Sequence, residues 1–326
     1  MLTLVAGWDR AAAGAFAARL LAPGTAVVQY AITDSGVERR CRVDNTDTTE
    51  RLGAEHDCVS CTLRADLALL TDAFDRLVVH LDPVLEPGPI ARERQVDAVV
   101  TVVDVDTWLA AATGDDLLPD DERTVAQVVV GQVEAADALV LTGAPDARTT
   151  AVLDRLAAAV PRVPLAEAGP ALLRAVRRGD EVDKVDEVFG PLLRGQPPLR
   201  PECGVGLTVF RERRPFDQDR LVDALDVLLD GVVRARGRVW VAGRPDEVLL
   251  LESAGGGVCV GPGGTWLAAS DDWDAVSAER RARAALDWDP VWGDRVQELV
   301  ILSHAADPEA LTAAFTAALV QEEIAL

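Results

Sequence analysis

Lysine is almost missing from this chain. Lys184 stands alone among 326 residues, and arginine supplies the other cations, so any mechanism that needs a lysine near the N-terminus is excluded. Long apolar runs are missing as well. Apolar residues make up 49% of the chain, yet no run reaches the length of about 18 residues that a membrane-crossing helix needs. No basic region precedes the first apolar run, residues 2–5, which therefore reads as a strand and not as a signal peptide. Cysteine is scarce: five is an odd number for a secreted disulfide framework, and a chain of this length does not need one. These absences together predict a cytoplasmic protein. Basic charge is also short, with 32 basic against 54 acidic residues and a net charge of −22. A field of that sign repels phosphate backbones and anionic membranes, so neither nonspecific nucleic-acid binding nor membrane binding is expected.

What is present has a clear rhythm. In the first half, apolar runs at residues 2–6, 25–32, 76–80, 98–103 and 138–142 alternate with stretches of helical period at 11–21, 63–74, 123–135 and 147–159. Continuous apolar strands alternating with helices predict an α/β fold with a doubly wound parallel sheet. Near Arg177 the texture changes, and Gly195-Gln196-Pro197-Pro198 has the composition of a linker. Strand-like runs at 206–210, 238–241, 248–251 and 298–303, with helices at 217–229 and 308–320, then predict a smaller α+β domain with an antiparallel sheet. The expected organisation is a first domain over 1–178, a linker over 179–204 and a second domain over 205–326.

A strand ending at Gly7 and followed at once by a helix is where a phosphate-binding loop sits. Such a loop needs a lysine for the β/γ charge and a hydroxyl for Mg²⁺. Here the segment reads Gly7-Trp8-Asp9-Arg10-Ala11-Ala12-Ala13-Gly14-Ala15, with alanine in the lysine slot and no hydroxyl on Gly14. Asp9 is a natural N-cap whose carboxylate takes the helix donors a phosphate would use, and it repels an anion besides. Nucleotide binding is not expected.

Cys58 and Cys61 form a C-x-x-C. Two thiolates three residues apart at the start of a helix can hold one Zn²⁺, and the helix N-terminus lowers their pKa. The pair needs further ligands, for which His56, two residues upstream, and Cys41 are candidates. Buried packing cysteines and a redox pair are the alternative readings. His80, at the end of an apolar strand, reads as a core histidine, and His304 as structural. Trp240, Trp266, Trp288 and Trp292 read as core packing before a ligand platform. Arg211, Arg213 and Arg214 read as a solvated strand end before a partner surface.

The order of motifs resembles that of the CobW family of metal-chaperone GTPases over almost the whole length. Gly7-Trp8 and Arg19-Leu20-Leu21 look like remnants of the family's opening loop, and Thr33-Asp34-Ser35-Gly36 like its N-E-F-G turn. The stretch from Cys58 through Ser60, Cys61, Thr62, Arg64, Asp66 and Leu67 is similar to its C-x-C-C-T-x-R-x-D-L signature, the most specific match, with Ser60 in place of the middle cysteine. His80-Leu81-Asp82-Pro83 falls on the family's switch segment, with proline where a glycine N–H would meet a γ-phosphate. Thr101-Val102-Val103-Asp104 matches its T-V-V-D, and Thr142-Gly143-Ala144-Pro145 replaces its guanine-reading N-K-x-D. Arg213-Arg214-Pro215-Phe216, Arg234-Ala235-Arg236-Gly237 and Trp292-Gly293-Asp294-Arg295 follow in the family's order.

The resemblance implies a P-loop-like fold that has lost its nucleotide groups: a pseudo-GTPase, not an enzyme, without GTP. It adds Asp34 to Cys58, Cys61 and His56 as candidate zinc ligands, although a turn aspartate is the commoner role for such a residue. Within the family the chain is similar to a degenerate actinobacterial branch whose mycobacterial form recruits a hibernation factor to the small ribosomal subunit under zinc starvation. The function this implies is a zinc-responsive, non-enzymatic adaptor acting on the small ribosomal subunit or a hibernation factor. The rival is a metallochaperone GTPase with a divergent nucleotide site, delivering zinc or cobalt to a client protein.

Overall fold

The computed structural model describes residues 1–34, 36–53, 59–119, 121–176, 189, 192–193 and 195–321. The first half runs β1 (Leu2–Ala6), α1 (Arg10–Arg19), β2 (Ala26–Thr33), β3 (Gly36–Val43), β4 (Thr46–Leu52), α2 (Val59–Ala73), β5 (Leu77–His80), α3 (Pro87–Glu93), β6 (Ala98–Val103), α4 (Trp108–Thr113), α5 (Val125–Glu134), β7 (Ala138–Leu141), α6 (Ala147–Leu156), β8 (Arg162–Pro164) and α7 (Pro170–Ala175). After it come β9 (Gly206–Glu212), α8 (Gln218–Leu225), β10 (Val232–Val239), β11 (Glu247–Ala254), β12 (Gly257–Thr265), α9 (Ala278–Asp287), β13 (Gln297–Ser303) and α10 (Pro308–Ala317).

Eight strands form the first sheet in the order β4-β3-β2-β5-β1-β6-β7-β8. The six from β2 to β8 are parallel, and β1, β5, β6 and β7 are buried at every residue, as strands covered on both faces must be. On one face Leu63, Leu67 and Leu70 of α2, at i, i+4 and i+7, pack with Leu4, Val28 and Val79. On the other, Ala13, Phe16 and Ala17 of α1 join Val5, Val27, Val78 and Val102. A Cβ on Gly7 would stand 2.7 Å from the Val102 carbonyl oxygen, so only glycine lets the chain leave β1 this close to β6. The doubly wound α/β parallel sheet is therefore present, extended at one edge by the antiparallel hairpin β3–β4. That hairpin turns through Asp44-Asn45, with Asp44 at φ +48°, a left-handed position that aspartate tolerates.

The second sheet is antiparallel throughout, in the order β12-β11-β10-β13-β9. Its helix-covered face is built on Phe210, Phe216 and Phe315, whose rings lie 5.6–6.1 Å apart, with Leu221 of α8 and Leu311 of α10. Gly237 sits in β10 where a Cβ would lie 1.9 Å from the Glu298 carbonyl oxygen, which accounts for glycine in Arg234-Ala235-Arg236-Gly237.

The chain divides into two compact units: Met1–Ala111, Val128–Asp146 and Ala159–Asp183 in one, and Ala112–Gln127, Ala147–Ala158 and Lys184–Leu326 in the other. The second unit takes in two pieces of the first half of the sequence. Glycines at the β11–β12 tip make one of these contacts possible. The Gly256 N–H donates to the Gly114 carbonyl at 3.1 Å, and a Cβ on Gly255 would stand 2.3 Å from that same oxygen. Among the described residues, no helix is long and apolar enough to cross a membrane.

Candidate functional site

Chain order reverses direction across the sheet at β1, so the crevice beyond the C-terminal ends of β1 and β5 is where such a sheet receives a ligand. Val5 of β1 lies opposite His80 of β5. Asp9, extended at φ −75°, ψ 97°, caps α1: its Oδ1 accepts the Ala11 N–H at 2.8 Å and the Ala12 N–H at 3.0 Å. The first donors of α1 are thus taken by the chain's own carboxylate.

His80 closes the space beneath α1. Its side chain is buried, its Nε2 has no hydrogen-bond partner among the described residues, and its Cε1 lies 3.3 Å from where a Cβ on Gly14 would stand. A serine or threonine at 14 would press against the imidazole, so Gly14 and His80 are a matched pair. Burial pushes the His80 pKa down to about 4, helped by the Arg10 and Arg42 guanidinium groups and opposed by Asp82.

Asp82, also buried, is the hub of the crevice. It forms an ion pair with Arg10 and accepts the Ile32 N–H at 2.8 Å and the Val84 N–H at 3.2 Å. The Gln132 side chain of α5 donates to the carbonyls of Pro83 and Leu85 at 2.8 and 3.0 Å, while the Gln132 main-chain carbonyl accepts the Thr101 hydroxyl at 2.6 Å. Residues 82–85 are therefore tied to α1, β2 and α5 at once. At the ends of β6 and β7 the polar groups satisfy one another. Asp104 accepts from Thr107 Oγ1 at 2.6 Å and Thr142 Oγ1 at 3.0 Å, and these bonds, Thr107 first, hold its carboxyl below the usual range.

Of the zinc candidates, Cys61 lies half-buried in the first turn of α2. Cys58 and His56 lie outside the described residues. Asp34 is exposed in the turn between β2 and β3. Cys41 lies half-buried on β3, packed against the α2-side core, where burial pushes its thiol up. Among the described residues, no three histidine, cysteine, aspartate or glutamate side chains stand close enough to hold one ion. The rest of the cysteine signature serves the fold: Leu63 and Leu67 fill the core, and Asp66 accepts the Tyr30 hydroxyl at 2.6 Å and pairs with Arg39. Burial, then that bond to Asp66, push the Tyr30 hydroxyl far up.

In the second unit Trp240 and Trp266 are core residues packed with Val248, Phe189 and Trp292, as expected, whereas Trp288 is exposed. His304 is half-buried, and burial pushes its pKa down. Arg211, Arg213 and Arg214 are held by Asp287, Asp289 and Glu212. Sequence reasoning missed the Arg10–Asp82 pair, the Gln132 clamp and the Tyr30–Asp66 bond. The only signal for the first is a lone carboxylate, Asp82, placed directly after an apolar strand.

Comparison with known proteins bears on this arrangement. Residues 205–319 match the C-terminal domain of the cobalamin synthesis protein CobW. A zinc chaperone of Mycobacterium tuberculosis is 43% identical over 98% of this chain and 88% of its own length. The zinc-regulated GTPase metalloprotein activator 1 of Dictyostelium discoideum is 25% identical over 82% of this chain and 66% of its own. The Zn(II)-bound YjiA GTPase from E. coli aligns over 98% of both chains with 17% identity and a TM-score of 0.42.

Proposed function

This chain belongs to the CobW-type metal-chaperone GTPase family, and on that premise we propose that it is a cytoplasmic zinc chaperone that carries its ion through Cys58 and Cys61 without nucleotide turnover. The observation that carries the reading is the 43% identity, over nearly the full chain, to a protein named as a zinc chaperone. Zinc is cargo in this reading, not a resident cofactor. Cys61 suits it, since a thiol in the first turn of a helix is disposed toward the thiolate that zinc takes. His56 and Asp34 are the proposed further donors.

The nucleotide-free part of the proposal draws on the crevice. Asp9 already accepts from the first donors of α1, His80 fills the space beneath Gly14, Pro83 has no N–H to offer, and Arg10 is committed to Asp82. These residues do not fit a triphosphate with Mg²⁺. The test is zinc competition against a chromogenic chelator for the wild type and a Cys58→Ser/Cys61→Ser variant, with and without GTP and Mg²⁺. The wild type is expected to retain zinc, the variant to lose it, and nucleotide to change neither curve. Equal retention in the two proteins overturns the thiolate assignment. A GTP-dependent shift overturns only the nucleotide-free part.

A second reading, zinc-gated association with the small ribosomal subunit or its hibernation factor, is favoured by the same self-satisfied crevice, which suits an adaptor that does not cycle. The net charge of −22 restricts docking to protein contacts or a local basic face. Co-sedimentation from zinc-starved and zinc-replete cells is expected to place the protein with the small subunit in one state only. Absence from that fraction in both removes this reading.

A further inference from the structure

We infer that the turn following α9 presents a docking surface for an arginine-bearing basic segment of a partner protein. This inference is independent of the zinc reading. Three large apolar side chains stand out of the second unit within six residues: Leu286 is 84% exposed, Val291 76% and Trp288 48%. Trp273 joins them, its ring 5.5 Å from that of Trp288.

The turn that carries Trp288 and Val291 is held by its own hydrogen bonds. Asp289 and Gly293 exchange backbone hydrogen bonds of 2.8 Å in both directions, and Asp289 Oδ1 accepts the N–H groups of Val291 at 2.8 Å and Trp292 at 3.0 Å. Gly293, at φ +65°, holds a left-handed conformation, and a Cβ there would lie 2.2 Å from the Ala268 Cβ. Apolar side chains held outward on a pre-ordered turn lose little entropy on docking, and tryptophan is the residue most often found at the centre of an interface.

Charge selects the occupant. Asp271 and Asp272 directly precede Trp273, Glu279 lies in the first turn of α9, and none of the three has a cation partner among the described residues. The neighbouring arginines are already committed: Arg211 and Arg283 to Asp287, Arg213 to Asp289, and Arg281 to Asp274. The same unit stacks its own guanidinium groups on aromatic rings, with Arg280 3.4 Å from the Phe189 centroid and Arg295 5.8 Å from Trp240. With these arginines committed, a guanidinium for the outer face of Trp288 would come from another chain, and the carboxylates next to Trp273 favour it.

The probe is a short peptide alternating arginine with leucine, titrated into the full chain against a counterpart carrying glutamate for arginine. Leu286→Ser and Val291→Ser are the variants of choice because both side chains are so exposed that the fold is unaffected, which circular dichroism checks. The arginine peptide is expected to bind and the glutamate peptide not to. Each serine variant should weaken binding about tenfold, the scale of an interface hot spot, and Asp271→Asn/Asp272→Asn should flatten the salt dependence. Undiminished binding by both serine variants means general attraction to an acidic chain and overturns the proposal. So does equal binding of the two peptides, or none. Self-association abolished by Leu286→Ser would make a second copy the occupant and likewise overturn it.

Discussion

Replacing Asp294 with alanine is expected to destabilise the second unit by about 3–5 kcal/mol, the loss typical when one partner of a buried ion pair is removed. Its side chain is 0% exposed and that of its partner Arg280 5%, so water compensates neither. Asp294 also accepts the Leu267 N–H at 3.1 Å and the Ala268 N–H at 2.8 Å, and both donors would be stranded. Arg280 would be left with its guanidinium against the Phe189 ring and no carboxylate. A loss of this size is comparable with the whole stability of a small domain. Asp294→Asn should cost less, because its carbonyl oxygen can still accept from a backbone N–H. Urea unfolding followed by tryptophan fluorescence reports directly, since Trp240 and Trp266 lie in this unit's core. A change below about 1 kcal/mol, the scale of a surface pair, would mean that the Arg280–Asp294 contact is hydrated.

The parallel core was legible because covering a strand on both faces leaves an unbroken apolar run, and β1, β5, β6 and β7 carry such runs. The hairpin β3–β4 was not. Its seven β4 residues are polar or charged but for one leucine, and at an exposed edge nothing requires apolar alternation. β12 was hidden by Gly261-Pro262-Gly263-Gly264, which reads as a turn, yet an edge strand tolerates proline because its outer N–H has no ladder partner. The assignment of residues 112–127 to the second unit goes with a tertiary fit at Gly255 and Gly256, which no local pattern encodes. In the crevice, the Asp9 cap could be read locally because an N-cap reaches only two or three residues ahead. Arg10 and Asp82 meet across 72 positions, and only the alignment of β1 beside β5 brings them together.

That alignment also places His80 where its protonation opposes folding, and the second large effect follows from the sign of its shift. Its ordinary pKa is 6.5 and burial brings it to about 4 in the folded chain. Between those values the unfolded chain binds the proton and the folded chain does not, so stability falls as pH falls. The contribution is fully present above about pH 6.5 and lost by about pH 4, about 3 kcal/mol in all at 1.36 kcal/mol per unit. His304 shifts in the same direction and is half-buried, so it adds a second slope of the same sign. Asp104 titrates below the window, because its pKa is lowered from 3.8. Chemical denaturation at pH 7 and pH 4 should therefore show a smaller difference for His80→Leu than for the wild type, whereas His304→Gln should retain most of it. Equal differences in the wild type and His80→Leu would show that the imidazole is hydrated in the folded chain. Arg10 supplies an internal control. Its guanidinium depresses the His80 pKa, so in Arg10→Gln the imidazole should titrate at higher pH than in the wild type, a displacement that NMR of the ring protons reads without unfolding the protein. An unmoved resonance would separate His80 from the Arg10–Asp82 pair and leave burial as the whole cause of its shift.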